Sequence, residues 1–129
     1  MELFKKTASE LSELLAKKEI SAVELAKDVL ERTKAVDDKV GAYITVAEES
    51  ALAQAAAVDA KRAAGEELSA LAGIPVAVKD NICTKGTLTT CASKILYNFK
   101  PPYNATAVDK LAAHDMVVTG KVNMDEFAM

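Results

Sequence analysis

The sequence predicts an α/β fold in which an N-terminal helical layer precedes the start of a mostly parallel or mixed sheet. Two helix-capping signals lie near the N-terminus, and a short apolar run without alternation occupies residues 74–78. A helical pattern and a second apolar run follow it. Two parallel strands and four helices are too few to cover both faces of a parallel sheet, so we expect residues 1–129 to be the N-terminal portion of a single domain. Residues 1–70 are mainly helical, and residues 71–129 form a strand, a loop, a helix and a strand.

The composition is typical of a soluble globular domain, since half of the 129 residues are hydrophobic, 27% are charged and the formal net charge is −3. No clustered Lys/Arg face stands out, so the chain on its own is not expected to bind nucleic acid. The sequence has no run of 18 apolar residues, and its N-terminus lacks the apolar stretch of a signal peptide. These features predict a cytoplasmic protein without membrane association.

Two capping boxes predict the starts of two consecutive N-terminal helices. Thr7 and Glu10 form the first box, and Ser21 and Glu24 form the second. Apolar residues then recur at helical spacing. They are Leu11, Leu14 and Leu15 in the first helix, and Leu25, Ala26, Val29, Leu30 and Val36 in the second. The two helices give a helical layer that carries no convincing site.

An alanine-rich segment over residues 48–64 predicts a third helix, with Gly65 placed to end it. A brief β-branched and aromatic stretch, 40–46, precedes it and predicts a short extended segment. Because small alanines permit close approach, one stripe of this helix is expected to pack against a neighbouring element. Its members are Leu52, Ala56, Ala60 and Ala63.

The apolar run Ile74–Val78 is typical of a strand buried on both faces, and it leads directly to Lys79. Lys79 therefore lies at the carboxyl end of a strand, where open α/β sheets place their chemistry. A lysine that is buried has a pKa below the usual value of about 10.4 and can act as a base on a hydroxyl nucleophile. The alternative is a lysine whose stem covers the strand end while its ammonium reaches water.

Residues 81–105 show no lasting periodicity and predict a long loop. This loop is either a wall of a functional site or contains structure that the pattern does not reveal. Thr106 is the predicted cap of a helix that ends near His114, and a second buried strand is predicted at 116–119. A strand, a helix and a strand in succession predict two parallel strands joined by a right-handed crossover.

Cys83 and Cys91 are the only cysteines, and His114 is the only histidine. Their spacing matches neither a CxxC pair nor a zinc site, so no metal is expected. Either thiol could be a nucleophile, although a cytosolic cysteine is more often buried and reduced. A histidine at a helix end is most often a surface or capping group.

Three stretches resemble the N-terminal part of amidase-signature enzymes, and within them the A subunits of the bacterial Glu-tRNA(Gln)/Asp-tRNA(Asn) amidotransferase. The first stretch, residues 71–81, is LAGIPVAVKDN and marks the superfamily broadly. The second, residues 89–94, is TTCASK, and the third, residues 120–129, is GKVNMDEFAM. The second and third are more specific to the amidotransferase.

The resemblance implies a catalytic triad of a lysine, a bridging serine and a nucleophilic serine, with Lys79 at the lysine position. It implies hydrolysis of the side-chain amide of glutamine through an acyl-enzyme, with release of ammonia. It places Met129 in the wall of the substrate pocket. It also implies a heterotrimer with B and C subunits that acts on mischarged tRNA. The intact complex would use ATP and Mg²⁺, while this chain would bind no cofactor itself.

Both serines, and the Gly/Ser-rich segment that supplies oxyanion donors, lie in the resembled family beyond the last residue of this sequence. Ser93 is a hydroxyl close to Lys79 in sequence, but the family does not use that position. Asp80, Asp125 and Glu126 do not replace the serines, because nothing in the sequence pins a carboxylate dyad. We therefore expect a fragment without amidase activity of its own. The alternatives are a fragment of a stand-alone amidase of the same superfamily and a non-catalytic module that binds partner subunits.

Overall fold

A computed structural model describes residues 2–129 of the chain. The α-helices of this region are α1 (Ala8–Ala16), α2 (Ala22–Val40), α3 (Glu48–Ala63) and α4 (Thr106–Ala113). The strands are β1 (Tyr43–Val46), β2 (Pro75–Lys79) and β3 (Val117–Val122). Short 3₁₀ segments lie at Leu3–Lys5, Lys94–Leu96 and Glu126–Ala128. The predicted α/β class with a small mixed sheet is confirmed, although strand β1 of this sheet lies between α2 and α3 in the chain.

Both predicted capping boxes are formed. The Thr7 hydroxyl accepts a hydrogen bond from the Glu10 amide at 3.3 Å, and Glu10 Oε2 accepts one from the Thr7 amide at 2.7 Å. Ser21 and Glu24 repeat this arrangement at 3.1 and 2.8 Å. Each box satisfies amides that a helix N-terminus otherwise leaves without partners, so both helices begin where the sequence places them. The buried apolar residues of α1 and α2 include Leu11, Leu15, Leu25, Ala26 and Leu30.

Helix α2 is longer than the sequence suggests and ends at Gly41, whose φ of 64° is the left-handed conformation common at helix C-termini. The extended segment predicted at 40–46 therefore begins only at Tyr43. Asp37 fixes the change of direction, because its carboxylate accepts hydrogen bonds from the amides of Ala42 and Tyr43 at 2.8 and 3.2 Å.

Helix α3 forms as predicted, but the stripe expected to pack was wrong. Its buried residues are Ala51, Ala55 and Val58. From the predicted stripe, Leu52 is half-buried, whereas Ala56, Ala60 and Ala63 are exposed. Alanine occurs on several sides of this helix, so composition could not select the buried face. Packing against α2 and β3 selects it.

The strands form a mixed sheet in the order β1-β3-β2. β2 and β3 are parallel, as the strand-helix-strand pattern predicts, and β1 is antiparallel to β3. The prediction of burial on both faces was wrong for β2, because β2 is an edge strand of this sheet and its Ala77 and Lys79 are exposed. The second predicted strand, 116–119, extends further than expected, to Val122.

Gly120 permits the close pairing of β1 with β3. A Cβ atom at this position would overlap the carbonyl oxygen of Thr45 and lie 3.0 Å from a ring carbon of Tyr43. The pairing registers shift beside it, between Tyr43 and Thr45 in β1 and between Val76 and Ala77 in β2. Glycine weakens a strand pattern, which is why the sequence ended this strand at Thr119.

The segment between β2 and α4 consists mainly of turns, with one 3₁₀ segment. Helix α4 begins at Thr106 after Ala105, which caps it without a side-chain hydrogen bond, so the predicted capping role of Thr106 was wrong. The Ala105 amide donates to the Cys83 carbonyl at 2.9 Å, which holds the start of α4 against the loop. His114 is exposed at the C-terminal end of α4.

No helix within residues 2–129 combines the length and the apolar character needed to cross a bilayer.

Candidate active site

The three motif stretches, which are far apart in sequence, meet at the carboxyl ends of β2 and β3. Lys79 is the last residue of β2 and pairs in register with Val122 of β3. The Asp80 amide donates to the Val122 carbonyl at 3.1 Å, which continues the pairing by one residue. The Asp80 carbonyl then accepts a hydrogen bond from the Cys91 amide at 3.1 Å, which brings the second stretch to the strand end.

The Asp80 side chain is fully buried and anchors the turn at residues 89–93. Its Oδ2 accepts hydrogen bonds from the Thr90 amide at 3.0 Å and from the Thr90 hydroxyl at 2.5 Å. Its Oδ1 has no hydrogen-bond partner within residues 2–129, and lies 3.5 Å from Lys121 Nζ. Asp80 is therefore a structural anchor for the residues that follow Lys79.

Lys121 is the buried lysine of this site. Its side chain is inaccessible to solvent, and it stands on β3 opposite Val78. Nζ donates hydrogen bonds to the Ile82 carbonyl and to the Thr89 hydroxyl, both at 2.8 Å. Burial lowers the pKa of the Lys121 ammonium from its usual value, and the neighbouring Asp80 carboxylate opposes that shift.

Lys79 lies at the strand end that the sequence predicted, and the two possibilities left open for its side chain, burial or exposure of the ammonium to water, are distinguished within residues 2–129. Its side chain is exposed, and it makes no side-chain hydrogen bond or ion pair in this part of the chain. The buried residues on either side of it are Val78 and Asp80. The structure therefore shows the second possibility, in which the Lys79 ammonium reaches water. The backbone of Lys79 is fixed by the buried residues on either side of it.

The third stretch closes against the second. The Phe127 amide donates to the Cys91 carbonyl at 3.0 Å, and the Ser93 hydroxyl donates to Glu126 Oε1 at 2.6 Å. Ser93 is thus engaged with a carboxylate in this structure. Met129, the other predicted site residue, is 96% exposed.

Four non-glycine residues in these two stretches adopt positive φ angles. They are Cys91, Ala92, Phe127 and Ala128, at 52°, 54°, 54° and 60°. The left-handed conformation costs a residue with a Cβ about 1–2 kcal/mol. Such strain persists where surrounding contacts fix it, and it is concentrated at functional sites. Lys18 and Asp115 adopt the same conformation elsewhere in the chain, at 58° and 55°, so it is the clustering of four such residues in two touching stretches that distinguishes this region.

A cavity of about 470 Å³ lies beside the turn and is bordered by Thr90, Ala92 and Ser93. Thr45 and Asn123 also border it. Neither Lys79 nor Met129 is among its lining residues. The structure therefore gathers the motif backbones beside this cavity without placing either predicted site residue in its lining.

Cys83 and Cys91 are half-buried and form no disulfide. Within residues 2–129, no group of three or more His, Cys, Asp or Glu side chains is placed to hold a metal ion.

Sequence reasoning missed the roles of Lys121, Thr89 and Thr90. The available signal was the third stretch, in which a lysine follows a predicted buried strand just as Lys79 does. Ending that strand at Thr119 placed Lys121 outside the sheet and concealed the signal.

A helical layer lies against a mixed sheet, a lysine ends a parallel strand, and the three motifs gather around it, which is the arrangement expected of the amidase-signature class. The chain belongs to the amidase family, because the sequence model of that family matches residues 24–129.

Curated relatives are similar to this chain over nearly all of its length. The chain is 57% identical over 129 residues to the A subunit of glutamyl-tRNA(Gln) amidotransferase from Desulforamulus reducens, and covers 27% of it. It is 60% identical over 124 residues, 96% of the chain, to the protein of the same name from Streptococcus sanguinis, and covers 25% of it. The chain thus spans about a quarter of the length of these relatives.

Solved amidases share the fold. The peptide amidase from Stenotrophomonas maltophilia superposes with a TM-score of 0.90 at 30% identity, covering 95% of this chain and 26% of the amidase. A bacterial aryl acylamidase of the amidase-signature family superposes with a TM-score of 0.89 at 25% identity, with coverage of 95% and 26%. These structural similarities confirm that the chain has the fold of the corresponding part of amidase-signature enzymes.

Proposed function

We propose that residues 1–129 are the N-terminal part of the glutaminase subunit of a tRNA-dependent amidotransferase. The meeting of the three motif stretches at the Lys79 strand end carries this proposal, in a chain 57% identical to such a subunit over its whole length. In the intact subunit, the site releases ammonia from glutamine. The ammonia serves the ATP-dependent conversion of Glu-tRNA(Gln), or Asp-tRNA(Asn), to its amidated form.

Lys79 is proposed as the base of the triad. Its Nζ takes the proton of a bridging serine hydroxyl while that serine takes the proton of the nucleophilic serine. The nucleophile's oxygen attacks the amide carbon of glutamine, and the C–N bond breaks as the nitrogen is protonated. Ammonia leaves, and water then hydrolyses the glutamyl ester that remains on the enzyme.

The exposure of Lys79 fits this proposal only in a longer chain. A subunit of the relatives' length has about three further quarters, which would cover β2 and supply both serines. Covering β2 removes the lysine from water, the condition that favours a neutral amine. We therefore expect no glutaminase activity from residues 1–129 alone.

The remaining assignments also concern the intact complex. Met129 is proposed to form part of the glutamine pocket wall once neighbouring segments cover it. The B and C subunits are the proposed protein partners, and mischarged tRNA is bound by the complex. ATP and Mg²⁺ are assigned to the complex, and no cofactor is assigned to this chain.

The stand-alone amidase is the less favoured alternative. The two solved amidases described above share 30% and 25% identity with this chain, against 57% and 60% for the two amidotransferase subunits. The non-catalytic module is also less favoured, because it gives no reason for strained, buried polar motifs around a strand-end lysine.

The test uses a joined subunit, in which residues 1–129 replace the matching segment of the D. reducens relative and the product is purified with the B and C subunits of that organism. We expect ammonia release from glutamine, and glutaminyl-tRNA formation when Glu-tRNA(Gln), ATP and Mg²⁺ are added. A folded joined subunit that hydrolyses other small amides but not glutamine would contradict the proposal and favour the stand-alone amidase. Assembly with the partners but no amide hydrolysis would favour the non-catalytic module.

A further inference from the structure

Lys121 is a second lysine beside the end of β2, and the triad chemistry proposed above does not use it. Lys121 and Asp80 are both fully buried, with Nζ 3.5 Å from Oδ1. Taking two charges out of water costs several kcal/mol per ion, and a buried pair is often replaceable by apolar side chains without loss of stability. Stability alone therefore gives a weak reason for an ion pair here.

The contacts of Lys121 indicate what the pair does instead. From the central strand β3, Nζ reaches three separate points: the Asp80 carboxylate, the Ile82 carbonyl and the Thr89 hydroxyl. The first two follow Lys79 closely in sequence, and the third begins the turn of residues 89–93. The Lys121 ammonium thus connects the residues that directly follow β2, Asp80 and Ile82, to that turn.

Backbone hydrogen bonds also hold the residues that directly follow β2. The Ile82 amide donates to the Lys79 carbonyl at 3.0 Å, and the Cys91 amide donates to the Asp80 carbonyl at 3.1 Å. Lys79 itself makes no side-chain hydrogen bond or ion pair within residues 2–129, so its placement depends on the backbone around it. Lys121 Nζ adds side-chain contacts to this backbone region at Asp80, Ile82 and Thr89.

We propose that Lys121 is a positioning residue that fixes the strand end carrying Lys79 by holding Asp80, Ile82 and Thr89 together. The proposal rests on the proposed function of Lys79 as a base. A displacement of a catalytic group by about 1 Å can lower the rate about 100-fold. The gain in rate from a fixed strand end therefore gives a reason for a buried ion pair that stability does not give.

Four variants distinguish an effect on the placement of Lys79 from an effect on the stability of the fold. Lys121→Met leaves Asp80 as an unpaired buried charge, whereas Asp80→Asn/Lys121→Met removes both charges and keeps an acceptor for Thr90. Thr89→Val removes one contact of Lys121 without altering a charge. Lys61→Met is the matched control, because Lys61 forms a partly exposed pair with Asp115 at 2.7 Å.

The first measurement is amide hydrogen exchange in the 129-residue chain. In Asp80→Asn/Lys121→Met, we expect exchange at the Ile82 and Cys91 amides to rise at least about tenfold, the equivalent of about 1.4 kcal/mol. Amides of helix α2 are expected to be unchanged. Thr89→Val is expected to give a smaller increase at the same amides, and Lys61→Met none.

The second measurement is steady-state glutamine hydrolysis by the joined subunit. We expect the double variant to regain most of the thermal midpoint lost in Lys121→Met, while its kcat stays about 100-fold low and its KM changes little. Lys61→Met is expected to keep the parent kcat. Unchanged exchange at Ile82 and Cys91, or a kcat that returns with the thermal midpoint, overturns the proposal.

The two proposals fail in distinguishable ways. If Lys79→Ala in the joined subunit keeps the parent kcat, the function proposed for Lys79 fails whatever the exchange measurement gives. If Lys79→Ala is inactive and the double variant is fully active, the role of Lys121 alone fails.

Discussion

Lys121 Nζ lies 3.5 Å from Asp80 Oδ1, and both side chains are fully buried. Asp80 directly follows the predicted catalytic lysine, and Lys121 belongs to the last of the three motif stretches. The pair therefore joins the beginning and the end of the region that carries the family resemblance. It also makes the interior of this site charged, although the sequence predicted an apolar strand.

Lys121→Met is expected to destabilise the fold strongly. Removing one partner leaves the Asp80 carboxylate buried without compensation, a change that costs about 3–5 kcal/mol. The free energy of unfolding from urea titration measures this. In Lys61→Met, which breaks a partly exposed pair, the expected loss is at most about 1 kcal/mol. Equal losses in the two variants would show that the buried pair is not specially coupled.

Gly120→Ala is expected to disrupt the pairing of β1 with β3. The added Cβ would overlap the Thr45 carbonyl oxygen. We expect a loss of about 3 kcal/mol, the upper part of the range for overpacking. Faster hydrogen exchange is expected at the Ala47 amide, which donates to the Thr119 carbonyl at 2.9 Å.

Gly86→Ala is the control for the glycine substitution. Gly86 also has a positive φ, of 74°, but within residues 2–129 no atom beyond Gly86 and its two chain neighbours lies within 4 Å of the position of an added Cβ. Its expected cost is the backbone strain alone, about 1–2 kcal/mol. A Gly120→Ala variant no less stable than Gly86→Ala would contradict the close approach of β1 and β3.

Glu24→Gln is expected to reduce the loss of stability in acid. Hydrogen bonds from the amide of Ser21, and then from its hydroxyl, lower the pKa of the Glu24 carboxyl. A carboxyl whose folded pKa is lowered adds stability above its unfolded pKa, and that stability is lost as the pH falls through the folded pKa. Unfolding curves of the parent and of Glu24→Gln should therefore converge as the pH falls from about 6 to about 3.

Glu31→Gln is the control for the pH measurement. Glu31 is exposed on the same helix and makes no side-chain hydrogen bond within residues 2–129. This variant shows the effect of the same substitution at a position on α2 that belongs to no capping box. If the free energy of unfolding changed with pH in parallel for the parent and Glu24→Gln, the contribution of the capping box to stability would not depend on pH.

Local signals in the sequence were sufficient for much of the fold. The capping boxes at Thr7 and Ser21 predicted both helix starts, because a capping box involves residues only three positions apart. The apolar run before Lys79 and the helix after it predicted the parallel pair of strands. The motif stretches identified the family before any contact was known.

Long-range packing decided what the sequence did not reveal. The buried face of α3 depends on α2 and β3, and several alanines on that helix were equally suitable. The length of β3 depends on Thr45 approaching Gly120 and on Asp80 pairing with Lys121, which are distant in sequence. The exposure of Lys79 depends on whether another segment covers β2, which no property of β2 itself determines.

The most direct test of the central claim is glutamine hydrolysis by the joined subunit carrying Lys79→Ala, compared with Lys85→Ala. Lys85 is an exposed lysine on the loop that follows. If Lys79 is the base, its replacement lowers kcat by about 10²–10⁴-fold, while Lys85→Ala keeps the parent value and both variants unfold at the parent's midpoint. A Lys79→Ala variant that releases ammonia at the parent rate would contradict the account and leave Lys79 as a lysine that only covers the end of its strand.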